Sequence, residues 1–369
     1  MHSRVESSKP LISIFSLRRI FYLLAFSPYL LLYLSVFLGQ QSEFQNLWML
    51  FPCAVIFIVI PLLDRLIGLD HANPDENQKK RLNEGFWYTM LPMLVLPLQG
   101  FTLIWAIEVF HTLDLSPGGK LAWIISVGVV GSMVAINSAH ELIHRRSRWL
   151  QGTGGLLLAS MSYGSFKTEH ILGHHQNVAT PEDASSAEKG QSFYLFLPQA
   201  IIRNICCAAK IEKERLAKEG SGFWNRENEF LIWSSVSFLI ACMMTIAYGF
   251  SGLVFFLGQS LFGIFLLETV NYIEHYGLRR KTRENGTFES PGPEHSWNYS
   301  SFLTNMFLFQ LQRHSDHHQK ANRRYQLLRH LHEAPQLPAS YAAMILLAWF
   351  PLLWFKVMNK RVEQYATCS

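Results

Sequence analysis

Nine of the fifteen histidines stand in four short clusters between residues 140 and 318. The clusters are His140-Glu-Leu-Ile-His144, Glu169-His170-Ile-Leu-Gly-His174-His175, Asn271-Tyr-Ile-Glu-His275-Tyr-Gly277 and Gln312-Arg-His314-Ser-Asp-His317-His318. Side chains three or four residues apart share one face of a helix. The spacing therefore predicts pairs that can share a metal ion: His140 with His144, His170 with His174, and His314 with His317 or His318.

This number of histidines indicates two metal ions. A catalytic zinc ion uses three protein ligands, so nine candidates exceed what one ion needs. Imidazole binds iron, zinc and copper alike, so the ligand type does not name the metal. Two ions that share eight or nine histidines and keep open positions for oxygen are the most economical interpretation. We interpret the remaining six histidines as structural or surface residues: His2, His71, His111, His295, His330 and His332.

Five carboxylates lie beside the clustered histidines, namely Glu141, Glu169, Asp183, Glu274 and Asp316. A carboxylate can accept the second ring N–H of a metal-binding histidine and so fix its tautomer. It can also bind the metal directly. The sequence leaves both roles open for all five residues.

Six apolar stretches are long enough to be the helices that position these clusters. A membrane helix needs ~20 predominantly apolar residues, and the predicted spans are approximately 21–38, 47–63, 87–105, 121–139, 230–250 and 253–272. We predict an all-α integral membrane protein with one domain over 1–369, in which segments 140–229 and 273–340 carry the histidines outside the lipid. A seventh apolar stretch, 341–357, is interrupted by Pro351 and predicted to face the membrane or its interface.

Lysine and arginine residues predict the orientation of the spans, because they concentrate in cytoplasmic loops. Only Lys120 lies in the connections after spans one, three and five. The basic residues gather instead before span one and after spans two, four and six: Arg18, Arg19, Arg65, Lys79, Lys80, Arg81, Arg145, Arg146, Arg148, Arg279, Arg280, Lys281 and Arg283. Both termini and both histidine-bearing segments are therefore predicted to be cytoplasmic.

The composition agrees with a membrane protein and disfavours nucleic-acid binding. Hydrophobic residues make up 49% of the 369 residues and charged residues 16%, against ~25% charged residues in soluble domains. The net charge of +5 arises from basic residues beside apolar runs, which suits an anionic membrane surface. The five cysteines contain no C-x-x-C pair, so a rubredoxin-type iron site has no support in this chain.

Two other classes of protein are weaker interpretations. His140-Glu141-Leu-Ile-His144 satisfies H-E-x-x-H, in which Glu141 would be the general base of a zinc metalloprotease within the membrane. Such a site needs one further ligand and leaves six histidines unexplained. A transporter should carry its functional charges near mid-membrane, whereas the histidine clusters lie at or beyond the ends of the spans.

The clusters closely resemble those of the bacterial membrane-bound alkane 1-monooxygenases. The matching segments are AHELIHRR (139–146), EHILGHHQNVATPED (169–183), NYIEHYGL (271–278) and LQRHSDHH (311–318). The xylene monooxygenases are related to this family, and the membrane fatty-acid desaturases are related more distantly. NYIEHYGL distinguishes the chain from the desaturases.

The resemblance implies a six-span enzyme of the bacterial inner (plasma) membrane with its active site facing the cytoplasm. The nine clustered histidines would bind two non-haem irons, and O₂ would hydroxylate alkanes to 1-alcohols. Electrons would come from NAD(P)H through a rubredoxin reductase and a rubredoxin. Hydroxylation of methyl groups as in the xylene monooxygenases, and desaturation, are the alternatives within this group. A hydrophobic substrate is expected to enter from the membrane lipids into an apolar cavity.

Overall fold

The computed structural model describes residues 14–368, apart from the side chains of residues 16 and 366–368. The regular structure in this range is helical, with only isolated β-bridges besides. In chain order the helices are α1 (14–40), α2 (51–67), α3 (Glu76–Asn83), α4 (Phe86–Thr112), α5 (Pro117–Ile143), α6 (Arg148–Ala159), α7 (165–177), α8 (Phe193–Lys218), α9 (Glu229–Tyr248), α10 (Phe250–His275), α11 (Phe302–Phe307), α12 (His314–Gln319), α13 (Tyr341–Ala348) and α14 (Pro351–Cys368). Single helical turns lie at Gln45–Trp48, Pro293–His295 and Tyr325–Leu327. The predicted all-α class is confirmed for this range.

Five helices in this range are long and apolar enough to cross a membrane: Leu17–Gln40 in α1, and α4, α5, α9 and α10. They coincide with the first, third, fourth, fifth and sixth predicted spans. Each of the five helices extends beyond the bounds of its predicted span at one end or both. These helices are those of a multi-pass membrane protein.

The second predicted span corresponds to α2, which is as long as the predicted stretch but begins and ends four residues later. Pro52 lies in the first turn, where a backbone N–H would have no partner within the helix, so proline is tolerated there. Pro61 lies inside and removes a helical hydrogen bond, and the segment Val55–Val59 before it is a wider π-helix. The three contiguous segments of α2 hold 17 residues in all, at the short end of the ~20 of a typical span. The sixth span therefore stays a prediction.

Helix α5 is the most enclosed of the five membrane helices. In the most apolar 18-residue window of each helix, 83% of residues are buried in α5 and 11% in α9. Helix α10 packs along α5 so closely that a Cβ atom on Gly128 would lie 2.5 Å from the carbonyl oxygen of Gln259. Small residues permit such close contact between membrane helices. Helix α9 leaves most of its surface to the lipid.

Charged side chains join the histidine-bearing segments to the loops at one end of the helices. Arg18 and Arg313 both pair with the buried carboxylate of Asp70, which follows α2. Arg145, just after α5, donates a hydrogen bond of 3.2 Å to the backbone oxygen of Asn322. The basic residues around α1, α2 and α5 therefore lie at the same end as the histidine clusters.

The stretch 341–357 forms two helices, because Pro351 begins a new one. Helix α13 buries Tyr341, Met344 and Ala348 in the protein. Leu352, at the start of α14, is 85% exposed. The single helix predicted here is thus wrong, and α13 packs against α10. Its contact with the membrane or its interface stays a prediction.

Candidate metal centre

Five of the predicted histidines converge at the end of α5. His140 and His144 come from α5 and its C-terminal cap, His170 and His175 from α7, and His317 from α12. The Nε2 atoms of His144 and His170 are 3.1 Å apart, those of His170 and His175 3.2 Å, and those of His175 and His317 3.1 Å. Nε2 of His140 is buried and has no hydrogen-bond partner within residues 14–368. These residues are called the five-histidine group.

The other four predicted histidines form a second group beside the first. His174, His275, His314 and His318 contribute one ring nitrogen each. The Nε2–Nε2 distances are 3.2 Å for His174 and His318, 3.2 Å for His275 and His314, and 2.9 Å for His314 and His318. The ring of His318 in this four-histidine group lies 4.5 Å, between centroids, from the ring of His175 in the first group. All nine predicted residues are thus brought into two adjoining groups.

The spacing of the ring nitrogens fits metal ions. Imidazole nitrogens bind zinc at about 2.0–2.1 Å, so two nitrogens at right angles around an ion would be about 3 Å apart, and about 3.3 Å apart in a tetrahedron. The observed distances of 2.9–3.2 Å fall in this range. Lone pairs that point at one another over such distances repel unless a cation lies between them. Each group could hold a metal ion.

The pairing of histidines within α7 differs from the prediction. His170 and His174 belong to different groups, whereas His170 and His175 share one. The reason is local, because His170–His174 is a π-helical segment. A π-helix has a wider turn with i→i+5 hydrogen bonds, which brings residues five apart onto one face. In α12 the ordinary helical spacing holds, and His314 shares its group with His318 while His317 faces the other.

Hydrogen bonds donated by Nδ1 orient two members of the four-histidine group. Nδ1 of His174 lies 2.9 Å from Oδ1 of Asp183, and Nδ1 of His275 lies 3.3 Å from the backbone oxygen of His295. Both oxygens are acceptors in these contacts, so each Nδ1 carries the hydrogen. Each Nε2 therefore keeps its lone pair for a metal, which is the usual role of such outer contacts.

Burial keeps most of the clustered imidazoles neutral, which is the form that binds metals. Burial lowers the pKa of His170, His314 and His318 well below the ordinary value, and the neighbouring imidazoles add to this effect. Burial also acts to lower the pKa of His174, but the Asp183 carboxylate raises it above the ordinary value. A bound cation would take the place of the proton that this carboxylate attracts.

The other predicted carboxylates have different partners. Oε2 of Glu274 lies 3.3 Å from Nε2 of His314, close enough to reach the same metal position. Asp316 is paired with Arg329 and Arg323 at 2.7 and 2.9 Å. Its carboxylate therefore stabilises the following loop, and its contacts among the described residues include no ring nitrogen.

Glu141 and Glu169 also point away from the ring nitrogens. Glu141 forms an ion pair with Arg145 and accepts the backbone N–H of Tyr325 at 3.3 Å. Glu169 accepts a hydrogen bond of 3.2 Å from Asn204. Burial raises the pKa of Glu169 to about 8, and the nearby Asp183 carboxylate contributes to this rise.

His295 lies outside the two histidine groups, in a third set of possible ligands with Glu289 and Glu294, and its backbone oxygen contacts His275. The Gly292 N–H donates to Nδ1 of His295 at 2.8 Å, so the hydrogen of the neutral ring lies on Nε2, 3.3 Å from Glu289. Such a ring has no lone pair left for a metal. His71 stacks on His330 elsewhere, and His332 meets both rings edge-on. His111 lies beside Tyr248. His2 lies outside the described residues.

Sequence reasoning missed a buried carboxylate inside α10. Glu268 is 1% exposed, accepts a hydrogen bond of 2.6 Å from Tyr163 and one of 3.2 Å from Asn271. A signal was present, because a carboxylate within an apolar span is costly and commonly functional. Tyr341 was missed as well, and its hydroxyl donates to Glu274 at 2.8 Å. No local feature of the sequence indicates that Tyr341 contacts Glu274.

An apolar cavity of about 90 Å³ ends at both histidine groups. His140, His170, His314 and Glu274 form its polar end. Its remaining walls come from α2, α5, α7, α10, α11, α13 and the loop after α11, among them Ile56, Phe57, Ile60, Met133, Ile136, Phe166, Leu266, Leu267, Val270, Leu308, Leu311 and Ile345. The three π-helical segments, Val55–Val59, Ser132–Ile136 and His170–His174, each contribute to this lining.

Known proteins match most of the chain. The model of the family described as Fatty acid desaturase matches residues 116–348. Alkane 1-monooxygenase 2 of Alcanivorax borkumensis is 47% identical over 332 residues, which cover 90% of this chain and 87% of that protein. Alkane 1-monooxygenase 2 of Pseudomonas aeruginosa is 45% identical over 334 residues, or 90% and 89% of the two chains. The xylene/toluene monooxygenase hydroxylase component XylM of Pseudomonas putida is 29% identical over 312 residues, or 80% and 79%.

These matches confirm the resemblance that the histidine clusters indicated, including the relation to the xylene monooxygenases and to the desaturases. The high identity extends over nine-tenths of this chain and most of each alkane 1-monooxygenase. The chain therefore belongs to the alkane 1-monooxygenase family of oxidoreductases.

Proposed function

We propose that this enzyme hydroxylates the terminal methyl group of alkanes to give 1-alcohols, with O₂ as the oxidant and two non-haem irons as the cofactor. The observation that supports this most is the position of the two histidine groups, which adjoin each other beside an apolar cavity. The named activity of the similar proteins agrees with it.

The nine histidines are the proposed ligands, five for one iron and four for the other. Glu274 is the carboxylate placed to complete the four-histidine site, because its Oε2 lies beside Nε2 of His314. Asp183 holds His174 in the tautomer that binds metal. When bound, the irons supply the activation of O₂ and the oxidation of the C–H bond.

The cavity suits an unbranched apolar chain. Burial of a CH₂ group from water is worth roughly 0.8 kcal/mol, but an alkane dissolved in lipid gains much less. The fit between the chain and the narrow cavity must therefore position the substrate. Methyl groups of aromatic substrates are the alternative, and XylM, whose name carries that activity, is the more distant relative.

The orientation in the membrane follows from the basic residues. Those around α1, α2 and α5 lie at the histidine end, as Arg18, Arg313 and Arg145 show by their contacts. By the positive-inside rule, we expect this end to face the cytoplasm. The proposed location is the bacterial inner membrane, with α2 as the sixth span.

A rubredoxin is the proposed electron donor, reduced by a rubredoxin reductase with NAD(P)H. Insertion of one oxygen atom and reduction of the other to water consumes two electrons and two protons, which the substrate does not supply. A recess of about 540 Å³ reaches His144 from the surface and is lined by Arg145, Arg146, Lys320, Arg323 and Arg324. Such a basic surface complements a small acidic carrier.

The geometry argues against a zinc metalloprotease. The general base of H-E-x-x-H would be Glu141, but its carboxylate is paired with Arg145. A single zinc site would also leave one of the two histidine groups without a role.

Metal analysis combined with product analysis tests the proposal. The purified protein should contain two irons per chain and should convert octane to 1-octanol with NADH, rubredoxin reductase and rubredoxin. One zinc per chain with hydrolysis of a peptide would support the protease instead, and two irons with an alkene product would support a desaturase.

A further inference from the structure

Asn137 borders both the apolar cavity and the five-histidine group. It lies on α5 three residues before His140, so the two side chains share one face of the helix. The residue lines the cavity and also a small cleft between His140 and His317. Asn137 is 7% exposed, and its Nδ2 has no hydrogen-bond partner within residues 14–368.

Three other polar side chains of the cavity, outside the histidine groups, are paired inside the protein. Thr304 donates to Asp64, Asn271 donates to Glu268 at 3.2 Å, and Tyr341 donates to Glu274 at 2.8 Å. An unpaired amide in an apolar cavity destabilises the fold, because it has lost water and gained nothing in return. A ligand that enters the cavity can supply the missing partner.

The chemistry of the reaction narrows the choice of ligand. An alkane has no atom that accepts or donates a hydrogen bond, so Asn137 cannot recognise it. The hydroxyl group of the product can do both, and it is created at the cavity end where His140 lies. We propose that Asn137 binds this hydroxyl group and holds the primary alcohol at the end of the cavity. The inference rests on the proposed hydroxylation.

A binding experiment without turnover tests this role. The iron-loaded protein in detergent, without an electron donor, is titrated with 1-octanol and with octane. Loss of a hydrogen bond predicts that Asn137→Leu lowers the affinity for 1-octanol about tenfold and changes the affinity for octane less than about twofold. The ratio of the two affinities cancels any effect of the variant on the apolar walls.

Ser138→Ala is the matched control, because Oγ of Ser138 is also buried and has no partner in the described part of the chain, but the residue does not line the cavity. It should leave both affinities unchanged. Iron content and melting temperature are measured for each variant. If Asn137→Leu does not retain iron, Asn137→Ala is used for the same ratio, since a smaller side chain cannot overfill the cavity.

An unchanged alcohol-to-alkane ratio in the Asn137 variant would overturn the inference. If the KM for O₂ is raised as well, the amide binds dioxygen and not the alcohol. The wild-type protein separates these results from failure of the proposed function. If it produces no 1-octanol from octane, the hydroxylation itself is wrong, whereas normal production with an unchanged ratio refutes only the role of Asn137.

Discussion

The carboxylate of Asp183 accepts a hydrogen bond from Nδ1 of His174 over 2.9 Å. Asp183 is itself held by Oγ of Ser186 at 2.5 Å and by the backbone N–H of Ser185 at 3.1 Å. Three donors therefore fix the carboxylate, and the carboxylate fixes the ring. His174 must present Nε2 to the four-histidine group before any metal arrives.

We expect Asp183→Asn to weaken iron binding about 10- to 100-fold, the usual effect of losing an outer-shell carboxylate. The variant keeps the shape of the side chain but removes the charge that makes His174 a stronger ligand. Iron retained after dialysis against a graded series of chelator concentrations measures the change. Asp316→Asn is the control, because that carboxylate pairs with Arg323 and Arg329. Equal loss of iron from both variants would contradict the assignment.

Removal of one ligand from each group should show which iron it holds. We expect His318→Ala and His175→Ala each to reduce the iron content from about two per chain to about one, because metal affinity depends on the number of ligands. The double variant should bind almost none. His332→Ala, outside both groups, should retain the wild-type content, measured by elemental analysis. A loss of both irons from each single variant would mean that the two positions do not load independently.

A bulky side chain in the cavity should strongly reduce the rate of hydroxylation without loss of iron. Ala342 lines the cavity on α13, and we expect Ala342→Phe to lower the rate of octane hydroxylation at least about tenfold, since packed interiors tolerate little added volume. The iron content should stay at the wild-type level. Leu352→Phe adds a ring at a residue that is 85% exposed and should leave the rate unchanged. Full activity in Ala342→Phe would remove this cavity as the substrate site.

His330 should make the protein less stable in acid. Burial lowers the pKa of His330 from 6.5 to about 4, and repulsion from His71 and His332 adds to this effect. The unfolded chain therefore takes up the proton first, and the stability contributed by the neutral ring is complete above about pH 6.5 and is lost as the pH falls toward about 4. We expect the melting temperature of His330→Asn to fall less steeply than that of the wild type over this interval.

Thermal unfolding followed by intrinsic fluorescence measures this difference. His111→Asn, at an exposed position beside Tyr248, should follow the wild-type curve. Identical pH dependence of His330→Asn and the wild type would show that His330 does not contribute.

Neutralising the basic recess should weaken the use of rubredoxin. Arg146 and Lys320 are exposed members of the recess. We expect Arg146→Gln with Lys320→Gln to raise the KM for rubredoxin about tenfold at low ionic strength and less in high salt, because salt screens charges on the surface. The maximal rate should persist at saturating rubredoxin. Lys213→Gln, exposed on α8, is the control. A KM for rubredoxin equal to that of the wild type would mean that rubredoxin binds outside the basic recess.

The sequence by itself determined the class of protein, the family, five of the membrane helices and the nine histidines that gather in the structure. These properties follow from local patterns, because hydropathy over ~20 residues and the spacing of histidines can be recognised without knowing which distant segments are in contact. Helix ends were predicted less well, as in α2, which begins and ends four residues later than the predicted span.

Only the tertiary structure decided how those residues are divided and supported. Helical spacing paired His170 with His174, but the π-helical segment between them turns the rings toward different groups. Asp183 and Asp316 look alike in sequence, yet one accepts a ring N–H and the other pairs with arginines. The unpaired amide of Asn137 could not be foreseen either. Partners of a buried polar group come from segments far apart along the chain, so only the packing of those segments determines which groups meet and which stay unpaired.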